Sequence, residues 1–555
     1  MKKNKILLSV VTVIFGLLLV NFIASKVYQR FDLTKDKRYT LSDASKAMVS
    51  NLDSPLIIDV FLEGNFPMEF RLLQTETKQL IEEFQLETEH IIVNYIDPIA
   101  DETTRQDYID ELTRQGLEPY INTDNSTGKV TQEIIFPWAY ASHKDKRVKI
   151  PLLKLSITQG LQEQVNNSIQ SLEYAFADGF NKLVNPKSKT IAILKGNGEL
   201  DDIYLADFLK TMQQYYRVAP FTLDSVAAHP QRTLEQLKQY DLIVAAKPSE
   251  AFSENEKLVL DQYAMHGGKS LWLTESVIMD KDSLYNDAGT GVSLMRDLKL
   301  NDFFFKYGIR INPSLVKDLF SAPIMLAIGE GSNAQLQPIQ WQYSPLAASN
   351  PNHPITKNLN LVKYDFASPI DTLKNGVNKS ILLQSSPRSK LEGALTTISL
   401  ANVTEAPNEA SFNAGPQNLA VLLEGEFTSV YDKRVLPFKM NDFKSKSIST
   451  KMVVISDGDV IKNEVSRNQP KELGFDQRTG KSFGNKEFLL NTINYLLDDT
   501  GLINIRAKDI SIAFLNSEKI KDSKGKWQLI NIVLPLVLLG VFGFAFNYFR
   551  KRKYT

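Results

Sequence analysis

TIAILKGNGE at 190–199, DLIVAA at 241–246, SLWLT at 270–274 and MVVIS at 452–456 are the stretches that decide the fold. Each is a short apolar run bounded by Gly, Asp or Ser, the mark of a strand buried on both faces. Helical patterns separate the first three. Leu205, Phe208, Leu209 and Met212 share one face of 202–216. Ser253-Glu-Asn-Glu256 is a capping box opening the next helix, and Gly267-Gly268 closes it. Strands alternating with helices at this spacing predict βαβ units and a parallel sheet covered on both faces. MVVIS follows some 180 residues after SLWLT, and 485–497 then shows Phe488, Leu489, Ile493 and Leu496 at helical spacing. The sheet is therefore expected to be completed by returning chain. The stretch between, 280–450, is rich in Pro, Asn and Ser and reads as a large insertion with short strands at 380–384 and 419–423.

Upstream, 43–52 reads as a helix, 56–62 as a strand, and Phe70, Leu73, Thr77, Leu80, Ile81 and Phe84 as an amphipathic helix. A strand at 91–96, a helix at 104–115 and strands at 134–140 and 147–153 follow. The order β-α-β-α-β-β resembles the thioredoxin-like arrangement. Leu161, Val165, Ile169, Leu172, Phe176, Phe180 and Leu183 then form a long helical stripe. Such a stripe either packs between domains or is an exposed partner surface.

The chain has 555 residues, enough for several domains, with 43% hydrophobic and 23% charged residues. Lys+Arg and Asp+Glu are both 64, so no basic domain marks a nucleic-acid binder. Cysteine is absent. Disulfides, Cys-ligated zinc, iron–sulfur clusters and cysteine nucleophiles are thereby excluded, and a thioredoxin-like module would be redox-inert.

Apolar residues collect at 6–24 and 529–549. At 1.5 Å per residue each run is long enough to cross a bilayer core of about 30 Å. Lys2, Lys3 and Lys5 flank the first and Arg550–Lys553 the second, so both tips are expected in the cytoplasm and 27–526 outside it. The expected organisation is an N-terminal anchor at 1–26, a small α/β domain at 27–155 and a connecting helix at 156–185. The doubly wound domain begins at 186–279, is interrupted by the insertion at 280–450 and returns at 451–526. A second membrane helix and basic tail occupy 527–555.

Lys195-Gly-Asn-Gly-Glu199 stands at a strand's carboxyl end, where doubly wound sheets take ligands. Asn197 and Glu199 are its candidate ligand or partner contacts; a tight βα turn needing two glycines is the alternative. Asp457, in Asp457-Gly458-Asp459, is a third candidate: paired carboxylates for Mg²⁺, or a loop cap. Gly474 and Gly480-Lys481-Ser482 enclose five residues where a phosphate loop needs four, so no nucleotide is expected. The five histidines are scattered, and no G-x-S-x-G elbow occurs. No catalytic, cofactor-binding or metal-ligating residue is assigned.

Phe31-Asp-Leu-Thr through Tyr39-Thr-Leu-Ser42, Gly196-Asn-Gly-Glu199, His353-Pro-Ile-Thr356, the run 415–425, the strand and Asp at 454–459, and 484–491 occur in this order. Together they resemble the gliding-motility auxiliary subunit family GldG of Bacteroidota, grouped with ABC exporters. In that family the glycine turn often reads Gly-His-Gly-Glu, where this chain has Asn197. The resemblance implies a central domain similar to class-I glutamine amidotransferases, whose cysteine nucleophile this chain lacks. It also implies a membrane permease and a separate cytosolic ATPase as partners, in the inner membrane.

The fold class expected is α/β, with two membrane-spanning helices flanking extracytoplasmic α/β domains. The function expected is that of a non-enzymatic auxiliary subunit of an ABC-type exporter involved in gliding motility. The alternatives are a stand-alone membrane-tethered ligand-binding protein and a carboxylate-dependent hydrolase.

Overall fold

The computed structural model describes residues 12–22, 32, 34, 40–50, 52–124, 131–329, 334–498, 500–508 and 517–554. The chain divides into Met1–Lys508 and Asp509–Thr555.

In the first unit a short apolar helix, α1 (Thr12–Phe22), covers part of the first expected span; 6–11 and 23–24 lie outside the described residues. Helix α2 (Asp43–Ser50) is followed by β1 (Leu56–Val60), α3 (Met68–Glu87), β2 (Ile91–Tyr95) and α4 (Arg105–Arg114). A hairpin of β3 (Tyr120–Asp124) and β4 (Thr131–Ile135) leads to β5 (Trp138–His143) and β6 (Lys146–Pro151). The sheet order is β2-β1-β5-β6, with β1 parallel to β2 and antiparallel to β5. The strand expected at 134–140 is broken between Ile135 and Trp138. Pro137 has no N–H for a ladder, so the chain leaves one hairpin there and enters another sheet.

Helix α5 (Leu161–Val184) lies against this sheet, and its apolar stripe is buried: Val165, Ile169, Leu172, Phe176, Phe180 and Leu183 are each at most 3% exposed. Phe176 and Phe180 close with Phe84 of α3, ring centroids 6.4 and 5.1 Å away. On the same helix the buried Glu173 accepts hydrogen bonds from the Ser42 amide (2.7 Å), the Ser45 hydroxyl (2.9 Å) and the Lys508 ammonium (3.0 Å).

The central sheet has ten strands. Its parallel half runs from the strand Thr450–Ile455 through β10 (Lys269–Leu273), β9 (Leu242–Ala246) and β7 (Thr190–Lys195) to β8 (Arg217–Thr222). Beyond Thr450–Ile455 the order continues antiparallel through Asn418–Gly425, Asn378–Gln384, Gln335–Ser349 and Ser321–Ile328. The sheet is thus mixed, not wholly parallel. The strands expected inside the insertion extend the same sheet, because β-hairpin connections, unlike helical crossovers, reverse strand direction. Strand β8 carried no sequence signal: Pro220 sits inside it, tolerated because β8 is an edge strand.

Alternation along each parallel strand feeds two separate cores. Leu242, Val244, Ala246, Leu271, Leu273, Val453 and Ile455 face one way, against Phe208 and Met212 of α6 (Ala206–Met212) and Phe488, Leu489 and Ile493 of α10 (Asn485–Leu497). Ile243, Ala245, Trp272, Met452 and Val454 face the other way. There they meet Leu234 and Leu237 of α7 (Pro230–Leu237), Leu258 and Tyr263 of α8 (Glu254–Met265), and Phe303 and Tyr307 of α9 (Asn301–Tyr307). Burial on both faces is why these strands read as continuous apolar runs.

The second unit holds α11 (Ser517–Tyr554). Within it Ser523–Arg552 is 30 residues long, and its most apolar 18-residue stretch has mean hydropathy 2.5 and is not buried, long and apolar enough to cross a membrane.

Truncating Phe180 to Ala should destabilise the first unit by about 3–5 kcal/mol, since the side chain is fully buried in an aromatic cluster. Chemical denaturation of the full chain in detergent measures this; a change below about 1 kcal/mol would contradict the packing described.

Candidate functional site

Three charged side chains stand just past the carboxyl ends of three adjacent parallel strands. Lys247 follows β9, Glu275 lies two residues beyond β10, and Asp457 two residues beyond Ile455. Charged groups tolerate this edge because the strands end there and loops give access to polar partners. The Lys247 ammonium lies 3.0 Å from Glu275 Oε1 and 2.6 Å from Asp459 Oδ1. Arg296 approaches the other Glu275 oxygen at 3.5 Å. Asp457 accepts from the Asp459 amide (2.7 Å) and the Asp365 amide (2.6 Å), acting as the N-cap of a short helical turn.

Lys247 reaches this position from a left-handed backbone, φ 56°. A conformation that L-residues rarely adopt costs on the order of 1–3 kcal/mol and persists only where surroundings dictate it. Gly458 is part of those surroundings, because a Cβ there would stand 2.3 Å from Lys247 Cγ. The electrostatics follow from burial and pairing. Burial lowers the ammonium's basicity, but Asp459 and Glu275 outweigh it and hold Lys247 well above the usual lysine range. Burial pushes Glu275 from 4.5 up to about 7, with Lys247 opposing and Asp459 adding to the rise. Burial, reinforced by Asp459 and Glu275, raises Asp457 far above the ordinary carboxylate range.

These charges decide what the cluster can do. A lysine whose ammonium is engaged by two carboxylates is poorly placed to act as nucleophile or base. Single oxygens of Glu275, Asp457 and Asp459 lie within 4.8 Å of one another, a spacing suited to a cation. The Lys247 ammonium already spans two of these carboxylates, and a divalent ion would have to displace it. The cluster is organised around an internal cation.

The Gly196-Asn-Gly198 turn is built differently. Gly196 and Gly198 have φ 112° and 71°, and a Cβ on Gly198 would stand 2.1 Å from Ser249 Oγ. The Asn197 carbonyl accepts from the amides of Ser249 and Glu250, and the Asn197 amide donates to Glu199 Oε2 at 2.8 Å. Asn197 is 4% exposed, and burial raises the Glu199 carboxyl. The crevice between β7 and β9, where strand order reverses, is thus stitched shut by main-chain bonds. Arg296 links this turn to the charged cluster, donating to the Ser249 carbonyl at 3.2 Å.

The open space lies beside the cluster. A cleft of about 680 Å³ is lined by Asp459, Lys281, Lys363, Lys462, Tyr285 and Arg478 among others, but not by Asn197, Glu199 or Asp457. Gly474–Ser482, rejected as a phosphate loop, forms a small hairpin, Phe475–Asp476 against Lys481–Ser482, and supplies part of this lining. Sequence reasoning paired Asp457 with Asp459 but missed Glu275 and Lys247. The available signal was a charge one or two residues beyond each buried strand.

Residues 188–492 match the family described as "ABC-type uncharacterized transport system", and 35–142 match a domain of unknown function (DUF7088). The first match spans more than half the chain, and the chain belongs to that transport family. An uncharacterized protein of Borreliella burgdorferi is 20% identical over 535 residues, covering 94% of each chain. The N-terminal domain of mmIFT52 is similar over 58% of this chain and 100% of its own, at 13% identity and a TM-score of 0.31, too low to carry an argument.

Lys247→Met should cost about 3–5 kcal/mol, because the buried Glu275 and the part-buried Asp459 lose their shared cation. The raised Glu275 value also fixes a pH dependence. The folded state binds that proton more tightly than the unfolded chain, so stability falls as pH rises from about 4.5 to about 7. Asp457 acts in the same sense. Glu275→Gln should flatten the slope in denaturation series over this range; an unchanged slope would remove Glu275 as its source.

Proposed function

We propose that this chain is the membrane-anchored, non-enzymatic auxiliary subunit of an ABC-type exporter, serving gliding motility. Its folded unit presents the cleft, outside the cytoplasm, to a transported substrate or partner protein. The observation that carries the reading is the helix Ser523–Arg552, uncovered along its apolar length, in a chain whose folded unit belongs to a transport family. The basic clusters at Lys2–Lys5 and Arg550–Lys553 support cytoplasmic tips, with 6–24 as the second span. A non-enzymatic role is supported by the match to a transport family. Partners in this reading are a permease and a separate cytosolic ATPase.

The apolar helix has features suited to docking on a permease as well as to anchoring. Gly540 and Gly543 would meet nothing of the chain if each gained a Cβ. Such small residues permit close helix approach, where each interhelical polar contact is worth about 0.6–2 kcal/mol.

Two experiments test this. The chain has no cysteine, so a single Glu102→Cys at an exposed position reports its side of the membrane. A membrane-impermeant maleimide should label it in intact spheroplasts; labelling only after lysis would overturn the topology. Replacing 529–549 by a Leu/Ala helix of equal length should reduce permease co-purification several-fold. Undiminished recovery would make the helix an anchor alone.

A further inference from the structure

The strand Ser321–Ile328 ends the ten-strand order, pairing with Gln335–Ser349 on one side and, among the described residues, with no strand on the other. Its Pro323, Ile324 and Met325 line the cleft. The register tells which backbone groups are free. Opposed residues of an antiparallel pair alternate between exchanging two N–H···O bonds and exchanging none. Pro323 stands opposite Gln340 and Met325 opposite Pro338. Proline has no N–H to exchange, so these are the non-bonded pairs, and Ile324–Ile339 and Leu326–Gln337 carry the ladder. The Met325 amide and the Pro323 and Met325 carbonyls therefore turn away from the partner strand, toward the open edge.

The lining adds a charge that the fold leaves unspent. Lys281 is tied to Asp365 (3.6 Å), Lys363 to Asp476 (3.1 Å) and Lys462 to Asp280 (3.7 Å). Arg478 has no carboxylate partner among the described residues. Its Nη1 donates to the Tyr285 hydroxyl at 2.7 Å, and its guanidinium lies 4.6 Å from that ring's centroid. This contact orients the group and leaves its other donors for a planar, two-oxygen acceptor. Beside it in the lining, Thr479 Oγ1 is buried without a hydrogen-bond partner.

We propose that the cleft takes an extended polypeptide segment, which adds to the free edge of Ser321–Ile328 through the Met325 main chain and sets a carboxylate on Arg478. This rests on reading the folded unit as the ligand-binding part of a transport subunit. An open strand edge selects for polypeptide, because main-chain pairing supplies the affinity and neighbouring side chains the specificity. A sugar or a free phosphate would use Arg478 and Thr479 but gain nothing from the strand edge.

Full-length protein in detergent micelles, panned against phage-displayed random peptides, tests the idea. Enriched sequences should carry Asp or Glu, or bind through a free C-terminal carboxylate, which synthetic amidated and free-acid versions tell apart. Met325→Pro removes the edge amide that lines the cleft without touching the ladder, and Arg478→Ala removes an exposed side chain. Each should weaken a selected peptide about tenfold or more, a loss of about 1.4 kcal/mol, while Met325→Leu binds as the parent does. No enriched family, or peptides that bind Met325→Pro and Arg478→Ala as tightly as the parent, would overturn the proposal. If panning fails while the permease still co-purifies, the peptide cleft falls and the transport role stands; loss of both removes the wider reading too.

Discussion

One ammonium, that of Lys247, holds the carboxyl edge of the central sheet in its arrangement. It meets Glu275 and Asp459 from a strained backbone, and Gly458 is needed to let its stem pass. Lys247 and Glu275 come from consecutive strands and Asp459 from far along the sequence, and the shared cation fixes their relative positions. Buried ion pairs of this kind add little net stability compared with apolar packing. Their value here is positional: removing one partner leaves charges that only the intended arrangement can neutralise. The same positioning aims Asp459 into the cleft while Glu275 and Asp457 stay behind it.

That arrangement separates holding from recognition. The switch-point crevice, where many doubly wound sheets bind ligands, is filled by the bonds from Ser249 and Glu250 to Asn197. Open space is displaced to the side, over the antiparallel half of the sheet and the hairpin after Gly474. The cleft is consequently walled by loops and edge strands, from the segment between β10 and Thr450 and from the loops and hairpin at 459–485. Such walls can vary in sequence without disturbing the parallel core beneath them, which suits a subunit that must meet a particular cargo.

The parallel core was legible because LIVAA, SLWL and MVVI are buried on both faces and bracketed by turn residues. The capping box at Ser253 was legible for the same local reason, and both of its hydrogen bonds form. The antiparallel half was less so: 335–349 is a 15-residue strand whose Pro, Gln and Ser content hides its periodicity. The site was half legible. Asp457 and Asp459 stood out as neighbours, but Glu275 joins them only through the pairing of β10 with Thr450–Ile455, which no local pattern announces. Lys247 was invisible, since a lone lysine after a strand is ordinary until its φ and its neighbours are known.

The pairing of β10 with Thr450–Ile455 also governs how the molecule is made. Contacts between residues so far apart in sequence carry a loop-closure cost that must be met before they return any stability, and folding slows accordingly. While the chain is being synthesised, β7, β8, β9 and β10 are complete long before their neighbour exists. Until it arrives, the flank of β10 is an unpaired hydrophobic edge, a surface prone to association. Lys247 and Glu275 meanwhile already have each other but lack Asp459. Closure of the charged cluster therefore coincides with the arrival of the strand Thr450–Ile455, so a newborn chain carries this open edge for about a third of its own translation.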